Sequence, residues 1–260
     1  MMLERELAVA IAAAKAAGAA IRTIYDADDF EVRQKADDKG PLTEADLASD
    51  RILTGHLRAA FPEDGLLSEE VADDGERLKA SRVWIIDPLD GTREFTLRMP
   101  EFVVSIGLAI DGRPVLGVLY NPVTEELFTG VVGVGATYNG APCGVTDHAS
   151  LGGARLLVSR SEMKKGWFDG YRDDADLRPL GSVAYKFGLV GAGLAEATFT
   201  PQPRNEWDLI GGVAVVLAAG GRCANGKGED YIFNRPDPLH IGVIGSNDAL
   251  YNTILGLVQR

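Results

Sequence analysis

The sequence is poor in the residues that bind soft metals or form disulfides. It has only two cysteines, Cys143 and Cys223, and three scattered histidines, and neither cysteine belongs to a CxxC pair. No zinc-ligand spacing is therefore present. Two isolated thiols are typical of a reducing compartment, where they are mostly buried as small apolar side chains. We predict a cytoplasmic protein without a disulfide framework.

Positive charge is also scarce. The 260 residues include 26 Lys and Arg against 38 Asp and Glu, which gives a net charge of -12 at pH 7. Such a chain is unsuited to nucleic acids or anionic membranes, but it can act on anionic substrates where metal ions supply local positive charge. Hydrophobic residues make up 46%, which is enough for the core of one large unit or two modest lobes.

The N-terminal segment up to Asp26 is apolar but lacks the features of a signal peptide. Charged residues interrupt it, and no small-residue cleavage site follows an apolar stretch. Apolar positions from Leu3 to Ile21 recur at helical spacing, which predicts an amphipathic helix. No apolar run is expected to reach the length of a membrane span, so we expect no membrane association.

The remaining chain shows two rhythms of secondary structure. A second helix is expected from Thr43 to Pro62, and hairpin signals from Phe102 onward predict an antiparallel sheet. From Ala149 strands and helices alternate, with one helix expected over residues 161–173. We predict an α/β (α+β) fold, a layered αβαβα sandwich of two lobes. Residues 1–148 would carry the antiparallel sheet, and residues 149–260 would carry a mixed sheet.

Carboxylates stand at the ends of four apolar elements. They are Asp46, the pair Glu69 and Glu70, the pair Asp87 and Asp90, and Asp208. Ordinary structural explanations exist for several of them. Asp46 could complete a helix cap with Thr43, and Asp208 could favour a helix dipole. The two glutamates could simply be a solvated strand end.

The stretch WIIDPLDGTREF, residues 84–95, is harder to explain as a plain turn. Asp87 and Asp90 follow a buried strand and would repel each other. Gly91 permits a sharp turn, and backbone N–H groups at a following helix start can bind phosphate. Carboxylates beside an anion site require a cation between them. Ligation by oxygen alone indicates Mg²⁺ or Mn²⁺ rather than zinc or copper.

Three motifs together resemble a known family. LLSEE (66–70), DPLDGTREF (87–95) and EWDLIGG (206–212) occur in the order and separation found in the inositol monophosphatase superfamily of Mg²⁺-dependent, Li⁺-sensitive phosphomonoesterases. The resemblance covers most of the chain. It implies hydrolysis of a small phosphorylated substrate with two or three bound metal ions, inhibition by Li⁺, and a homodimer.

The resemblance also implies roles for individual residues. The metal ligands would be Glu69, Asp87, the backbone carbonyl of Leu89, Asp90 and Asp208. Thr92 would activate the attacking water with Asp46 accepting from its hydroxyl, and Glu70 would assist near a more weakly held metal. The amides of Gly91 and Thr92 would hold the phosphate, and Lys35 would lie near it.

Several details favour the 3'(2'),5'-bisphosphate nucleotidase branch of the superfamily. Ser68 before the paired glutamates, Leu89 within the Asp-Pro motif and Arg93-Glu94-Phe95 after it resemble that branch. Inositol monophosphatases carry a glutamate about seven residues before the Trp-Asp aspartate, where this chain has Pro201. In GSVAYKF (181–187), the residues Ser182 and Lys186 resemble the nucleotidase pattern for a second phosphate, and Arg204 is placed to meet a phosphate or base.

Alternatives stay open for each of these substrate residues. Ser182 could be a helix cap and Lys186 a solvent-facing helix lysine. Tyr185, Phe187 and Trp207 could stack on adenine, but aromatic residues at helical positions are more often core. The favoured reaction is hydrolysis of adenosine 3',5'-bisphosphate to AMP and phosphate. Inositol-1-phosphate or another sugar phosphate is the alternative substrate, and a non-catalytic interaction protein is the alternative class.

Overall fold

The computed structural model describes residues 3–27, 30–34, 40–171 and 175–259. Short 3-10 turns lie at Glu76–Lys79 and Asp169–Tyr171. The helices within these ranges are α1 (Glu4–Ala27), α2 (Glu44–Ala60), α3 (Thr92–Thr96), α4 (Arg160–Lys164), α5 (Val183–Gly191), α6 (Glu206–Ala218) and α7 (Tyr251–Val258). The strands are β1 (Val32–Gln34), β2 (Pro41–Thr43), β3 (Gly65–Ser68), β4 (Arg82–Asp90), β5 (Val103–Ile110), β6 (Arg113–Asn121), β7 (Glu126–Val131), β8 (Gly135–Tyr138), β9 (Ala141–Cys143), β10 (Arg155–Ser159), β11 (Asp176–Leu180), β12 (Ala197–Asn205), β13 (Arg222–Asn225) and β14 (Leu239–Ser246).

The larger sheet has seven strands in the order β3-β4-β5-β6-β7-β8-β9. Neighbouring strands from β4 to β9 are antiparallel, but β3 runs parallel to β4, with Ser68 paired to Ile86. The expectation of a wholly antiparallel sheet was therefore wrong at this edge. The chain between β3 and β4 forms a crossover instead of a hairpin, so both strands point the same way. Their carboxyl ends, which carry Glu69 and Asp87, consequently lie side by side.

The smaller sheet has five strands in the order β11-β10-β12-β14-β13. Strand β10 is parallel to both β11 and β12, whereas β14 is antiparallel to β12 and β13. The mixed sheet predicted for this part of the chain is confirmed. All five of its strands follow residue 148 and all seven of the larger sheet precede it.

Helices and sheets stack in alternating layers. Helices α1 and α2 pack together on one face of the larger sheet, where Leu53 shares a core with Trp84. Helices α5 and α6 occupy the space between the sheets, with Phe187 and Ile210 packed in one cluster. Helix α7 covers the outer face of the smaller sheet through Ile254. The predicted αβαβα order is therefore confirmed.

A row of three glycines lets α6 approach the larger sheet closely. Gly107, Gly117 and Gly130 are paired across β5, β6 and β7 and form one line. A Cβ atom on Gly117 would lie 2.1 Å from the carbonyl oxygen of Gly211 in α6. Because no larger residue fits there, the row fixes the depth of α6 and therefore the position of Asp208 in its first turn.

Two helices differ from expectation. The single helix predicted over residues 161–173 is instead the short α4 followed by a 3-10 turn, because Gly166 adopts a φ of 77° and interrupts the helix. Helix α1 is long and apolar enough to cross a membrane by length and composition alone, which corrects the expectation that no run reaches that length. Its buried alanines and Ile21 nevertheless pack within the fold, as in a core helix.

Candidate active site

Three carboxylates meet beside the end of β4. Asp87, Asp90 and Asp208 each offer one oxygen such that all three atoms lie within 4.8 Å of one another. Asp87 and Asp90 belong to the last four residues of β4, and Asp208 lies in the first turn of α6. These acids were predicted to share a metal site, and the fold brings them together from opposite halves of the chain.

The orientation of Asp90 is set by the start of α5. Its Oδ2 atom accepts hydrogen bonds from the Ser182 hydroxyl at 2.6 Å and from the Ala184 amide at 2.5 Å. Ser182 also accepts from the Tyr185 amide at 3.0 Å and so caps the helix. The residue has a φ of 49°, an uncommon conformation for serine. Ser182 is therefore both a helix cap and the residue that positions Asp90.

The electrostatics of this cluster disfavour three free carboxylates. Burial, reinforced by the negative charges of Asp90 and Glu69, raises the pKa of Asp208 to about 8. Burial also raises the pKa of Asp90 above its ordinary range. A backbone amide from Asn205 donates to Asp208 at 2.9 Å but only partly offsets these effects. Divalent cations would remove the repulsion, since they compensate negative charge directly.

A tight turn follows the acids. Gly91 has a φ of 106°, and a Cβ atom there would lie 2.8 Å from the carbonyl oxygen of Glu101. Glycine is therefore required both by conformation and by space. Helix α3 begins at Thr92 directly after this turn. The turn joins the acidic end of β4 to α3, where the motif predicts that the amides of Gly91 and Thr92 hold the phosphate.

A hydrogen-bonded chain joins Thr43, Asp46 and Thr92. The Oδ2 atom of Asp46 accepts from the Thr43 amide at 2.8 Å and from its hydroxyl at 2.6 Å, which completes the predicted cap of α2. The Oδ1 atom accepts from the Thr92 hydroxyl at 2.8 Å. The helix cap and the predicted contact with Thr92 are therefore compatible, because each uses a different carboxylate oxygen of Asp46.

Two of the remaining predicted residues, Glu69 and Leu89, lie beside this group. Glu69 lines the cavity above the cluster, and its amide donates to Ile86 at 3.3 Å. The carbonyl of Leu89 is 3.1 Å from the Thr92 hydroxyl, and the Leu89 amide donates to Asp87 at 3.0 Å. Glu70 is half-buried and is not among the described residues that line the cavity. Lys35 lies outside the described residues.

Lys186 does not face solvent as its simplest interpretation required. Its side chain is buried, and its ammonium donates to the carbonyls of Ser182 at 2.6 Å, Gly181 at 3.2 Å and Leu180 at 3.4 Å. Burial lowers the pKa of Lys186 to about 8. The three carbonyls use the three donors of an ammonium group. Lys186 therefore braces the turn that carries Ser182.

The side chain of Arg204 is also hydrogen-bonded within the protein. Its guanidinium donates to Glu162 at 3.0 Å and to the carbonyl of Pro203 at 2.8 Å. Of the aromatic residues considered for base stacking, Phe187 is fully buried and Tyr185 nearly so, in agreement with a core role. Trp207 is half-buried and packs against the core between the sheets.

The carboxylates open into a cavity of about 680 Å³, a volume typical of small-molecule sites. Its walls include Ser159, Arg160, Ser161, Lys164 and Lys165 from the end of β10 and from α4. These residues were missed from the sequence, because the segment showed only a helical pattern. The run of basic and hydroxyl residues was the signal that could have indicated them.

Comparison with known proteins assigns the chain to a family. The model of the inositol monophosphatase family matches residues 2–260. Inositol monophosphatase 3 of Solanum lycopersicum is 33% identical over 88% of this chain and 89% of its own length. The 3'(2'),5'-bisphosphate nucleotidase CysQ of Escherichia coli O157:H7 is 36% identical over 83% of this chain and 89% of its own. The chain belongs to the inositol monophosphatase family and is a phosphatase.

Solved structures agree with this assignment. The extragenic suppressor protein suhB of Bartonella henselae superimposes with a TM-score of 0.85 and 26% identity over 99% of both chains. The inositol monophosphatase of Anabaena gives a TM-score of 0.80 and 26% identity over 98% of this chain and 96% of its own. The family fold therefore extends over almost the whole chain.

The donor set fits the metal dependence of this family. Asp87, Asp90 and Asp208 supply only oxygen ligands, from groups whose orientation is already fixed by hydrogen bonds. Hard divalent cations prefer such ligands. Burial and mutual repulsion raise the pKa values of Asp90 and Asp208, and a bound cation would relieve that repulsion.

Proposed function

We propose that this protein is a Mg²⁺-dependent phosphomonoesterase that hydrolyses adenosine 3',5'-bisphosphate to AMP and phosphate. The observation that carries the chemistry is the Thr92 hydroxyl, which lies between Asp46 and Leu89 at the edge of the acidic cluster. The proposal assigns the ligand roles to Glu69, Asp87, Asp90, Asp208 and the carbonyl of Leu89. Mn²⁺ would substitute for Mg²⁺, and Li⁺ would inhibit, as the family resemblance implies.

The chain's own residues would position the reacting groups. A bound divalent cation supplies charge that neutralises the phosphate dianion and lowers the pKa of a water molecule. The Thr92 hydroxyl donates a hydrogen bond to Asp46, so its oxygen can accept a hydrogen bond from the attacking water and orient it. The amides of Gly91 and Thr92 would hold phosphate oxygens. Glu70 would assist at the outer side of the ligand group.

The nucleotide branch is favoured by the wall of the cavity. Pro201 stands where the inositol-specific enzymes carry a glutamate, and it lines a separate cleft rather than the active-site cavity. No carboxylate from this position is therefore available for inositol hydroxyls. Basic residues of α4 also line the cavity and suit a substrate with more than one phosphate.

Inositol-1-phosphate is the second candidate substrate. It is supported by the similarity to Inositol monophosphatase 3 of Solanum lycopersicum over most of the chain. Both candidates use the same carboxylate cluster and the same threonine. They differ only in the part of the cavity that lies beyond the reacting phosphate.

The test is phosphate release with Mg²⁺ from adenosine 3',5'-bisphosphate, AMP and inositol-1-phosphate at equal concentration, with and without Li⁺. We expect the bisphosphate to be hydrolysed with the highest kcat/KM and Li⁺ to inhibit. A higher kcat/KM for inositol-1-phosphate would overturn the substrate assignment but keep the chemistry. Gel filtration in the same buffer tests the homodimer that the resemblance implies.

A further inference from the structure

The cavity wall contains two kinds of basic side chain. Among the described residues, six cationic side chains line it, namely Arg93, Arg160, Lys164, Lys165, Lys186 and Arg204. A phosphate at a distance from the carboxylates would need cations whose donors are still available. The hydrogen bonds and ion pairs of these six residues therefore decide where a second phosphate can be received.

Three of the six are already committed to protein partners. The Nη2 atom of Arg160 donates to both carboxylate oxygens of Glu101 at 2.6 Å. Arg204 pairs with Glu162, and Lys186 is surrounded by backbone carbonyls. Moving any of them to a ligand would leave buried acceptors unpaired, which costs more than an exposed contact returns. These residues shape the wall and are poor receivers of a second phosphate.

Lys164 and Lys165 are in the opposite situation. Both are exposed, and neither ammonium group forms an ion pair or hydrogen bond with another residue in the described part of the chain. The ammonium of Lys165 lies 5.3 Å from the ring centroid of Trp167, a contact that orients it without neutralising it. The hydroxyls of Ser159 and Ser161 lie on the same wall. Uncompensated ammonium groups beside hydroxyls suit a phosphate.

The third uncommitted cation, Arg93, has a different place. It directly follows Thr92 in the first turn of α3, at the end of the cavity where the reacting phosphate is proposed to lie. Lys164 and Lys165 belong to the other half of the chain and lie on the wall formed by β10 and α4. The cavity thus draws positive charge from both halves of the chain.

We propose that Lys164 and Lys165 receive the second phosphate of a doubly phosphorylated substrate, while Lys186 acts only through the turn that positions Asp90. This inference rests on the proposed function and names the residues that give it selectivity. It replaces the expectation that Ser182, Lys186 and Arg204 bind that phosphate. Ser182 and Lys186 remain positioning residues for a metal ligand.

Matched substrate pairs test the subsite. Adenosine 3',5'-bisphosphate is compared with adenosine 3'-monophosphate, which has the same reacting phosphate and lacks the second one. Inositol 1,4-bisphosphate is compared with inositol-1-phosphate in the same way. Within each pair, the kcat/KM of the bisphosphate divided by that of the monophosphate measures how much the second phosphate contributes. Whether the adenosine pair or the inositol pair is hydrolysed faster tests the proposed function.

The variants are Lys164→Ala with Lys165→Ala, the charge-keeping Lys164→Arg with Lys165→Arg, and Lys186→Met. We expect the double alanine variant to lower the pair ratio about tenfold for each lysine removed, because charge-assisted bonds to phosphate are lost. Activity on the monophosphate should stay unchanged. The arginine variant should restore the ratio. Lys227→Ala, an exposed lysine at a separate cleft, is the control and should change nothing.

Lys186→Met should behave differently. It should lower kcat for both members of a pair by the same factor and raise the Mg²⁺ concentration needed for half-maximal rate. A selective loss of the bisphosphate in Lys186→Met, with an unchanged ratio in the double alanine variant, would overturn the proposal. An equal kcat/KM for both members of each pair in the unaltered protein would overturn it as well. Preference for the inositol pair with a lysine-dependent ratio would overturn the nucleotide assignment alone.

Discussion

Replacing Asp208 with asparagine should stabilise the metal-free protein while it abolishes metal binding. Asparagine keeps the oxygen that accepts from the Asn205 amide at 2.9 Å, so the cap of α6 is preserved. It removes the charge that burial and the neighbours Asp90 and Glu69 oppose. The substitution therefore separates the electrostatic cost of the cluster from its structural contacts.

The magnitude follows from the pKa of Asp208, which is raised to about 8 from an ordinary value of 3.8. Because the folded carboxyl holds its proton to a higher pH than the unfolded one, stability is greatest below the unfolded pKa and falls as the pH rises toward 8. The slope is about 1.4 kcal/mol per pH unit. From pH 3.8 to pH 7 this slope gives an upper bound of about 4.5 kcal/mol. Because Asp208 is half-buried at the cavity wall, solvent screening roughly halves the loss to about 2 kcal/mol, equivalent to about 4–8 °C in Tm.

The assay is thermal unfolding in EDTA between pH 5 and pH 8.5, repeated with excess Mg²⁺. We expect Asp208→Asn to raise Tm at pH 7, to flatten the pH dependence, and to lose the gain that Mg²⁺ gives the unaltered protein. Asp73→Asn is the control with the opposite sign, because Arg77 lowers the pKa of Asp73 and its charge stabilises the fold. A lower Tm for Asp208→Asn in EDTA at pH 7 would refute the reasoning.

Three further substitutions test other parts of the account. Gly117→Ala should lower the free energy of unfolding by about 1–3 kcal/mol in chemical denaturation, because the added Cβ would meet the backbone of α6. Gly55→Ala, on the exposed face of α2, should be neutral or stabilising. Arg77 donates at 2.8 Å to Asn234, whose amide in turn donates to Glu206 in the first turn of α6. Arg77→Met should therefore raise the Mg²⁺ concentration for half-maximal phosphatase rate about tenfold. Arg82→Met breaks ion pairs within the first half of the chain and should lower Tm without that effect; equal Mg²⁺ requirements in both variants would contradict the idea. Ser182→Gly should weaken Mg²⁺ activation similarly with little loss of Tm, because glycine suits the φ of 49°, and undiminished activation would show that the hydroxyl does not position Asp90.

The layered fold and the acidic cluster were predictable because local signals carry them. A buried strand ending in DPLDGT fixes where Asp87 and Asp90 emerge, and a helix start fixes Asp208. The direction of β3 was not predictable, because a parallel edge depends on the crossover and not on the strand itself. The break after α4 was missed because a single glycine within a helical pattern is usually tolerated.

The contacts of the basic side chains in the cavity wall could not be predicted from the sequence. The pattern around Lys186 indicates a lysine in the second turn of a helix, but the pattern does not say that its ammonium turns back onto three carbonyls. Arg204 likewise pairs with Glu162, a residue distant in sequence. Such long-range compensation depends on the assembled fold. A basic residue near a motif is therefore weaker support for a phosphate site than a carboxylate within a motif is for a metal site.

The central claim is that the carboxylate cluster holds the cation on which phosphatase activity depends. The most direct test is a Mg²⁺ titration of phosphate release by the unaltered protein and by Asp87→Asn, with circular dichroism to verify that both are folded. We expect saturable activation by Mg²⁺ in the unaltered protein and no measurable turnover in Asp87→Asn. Undiminished turnover in Asp87→Asn, or full activity in excess EDTA, would contradict it.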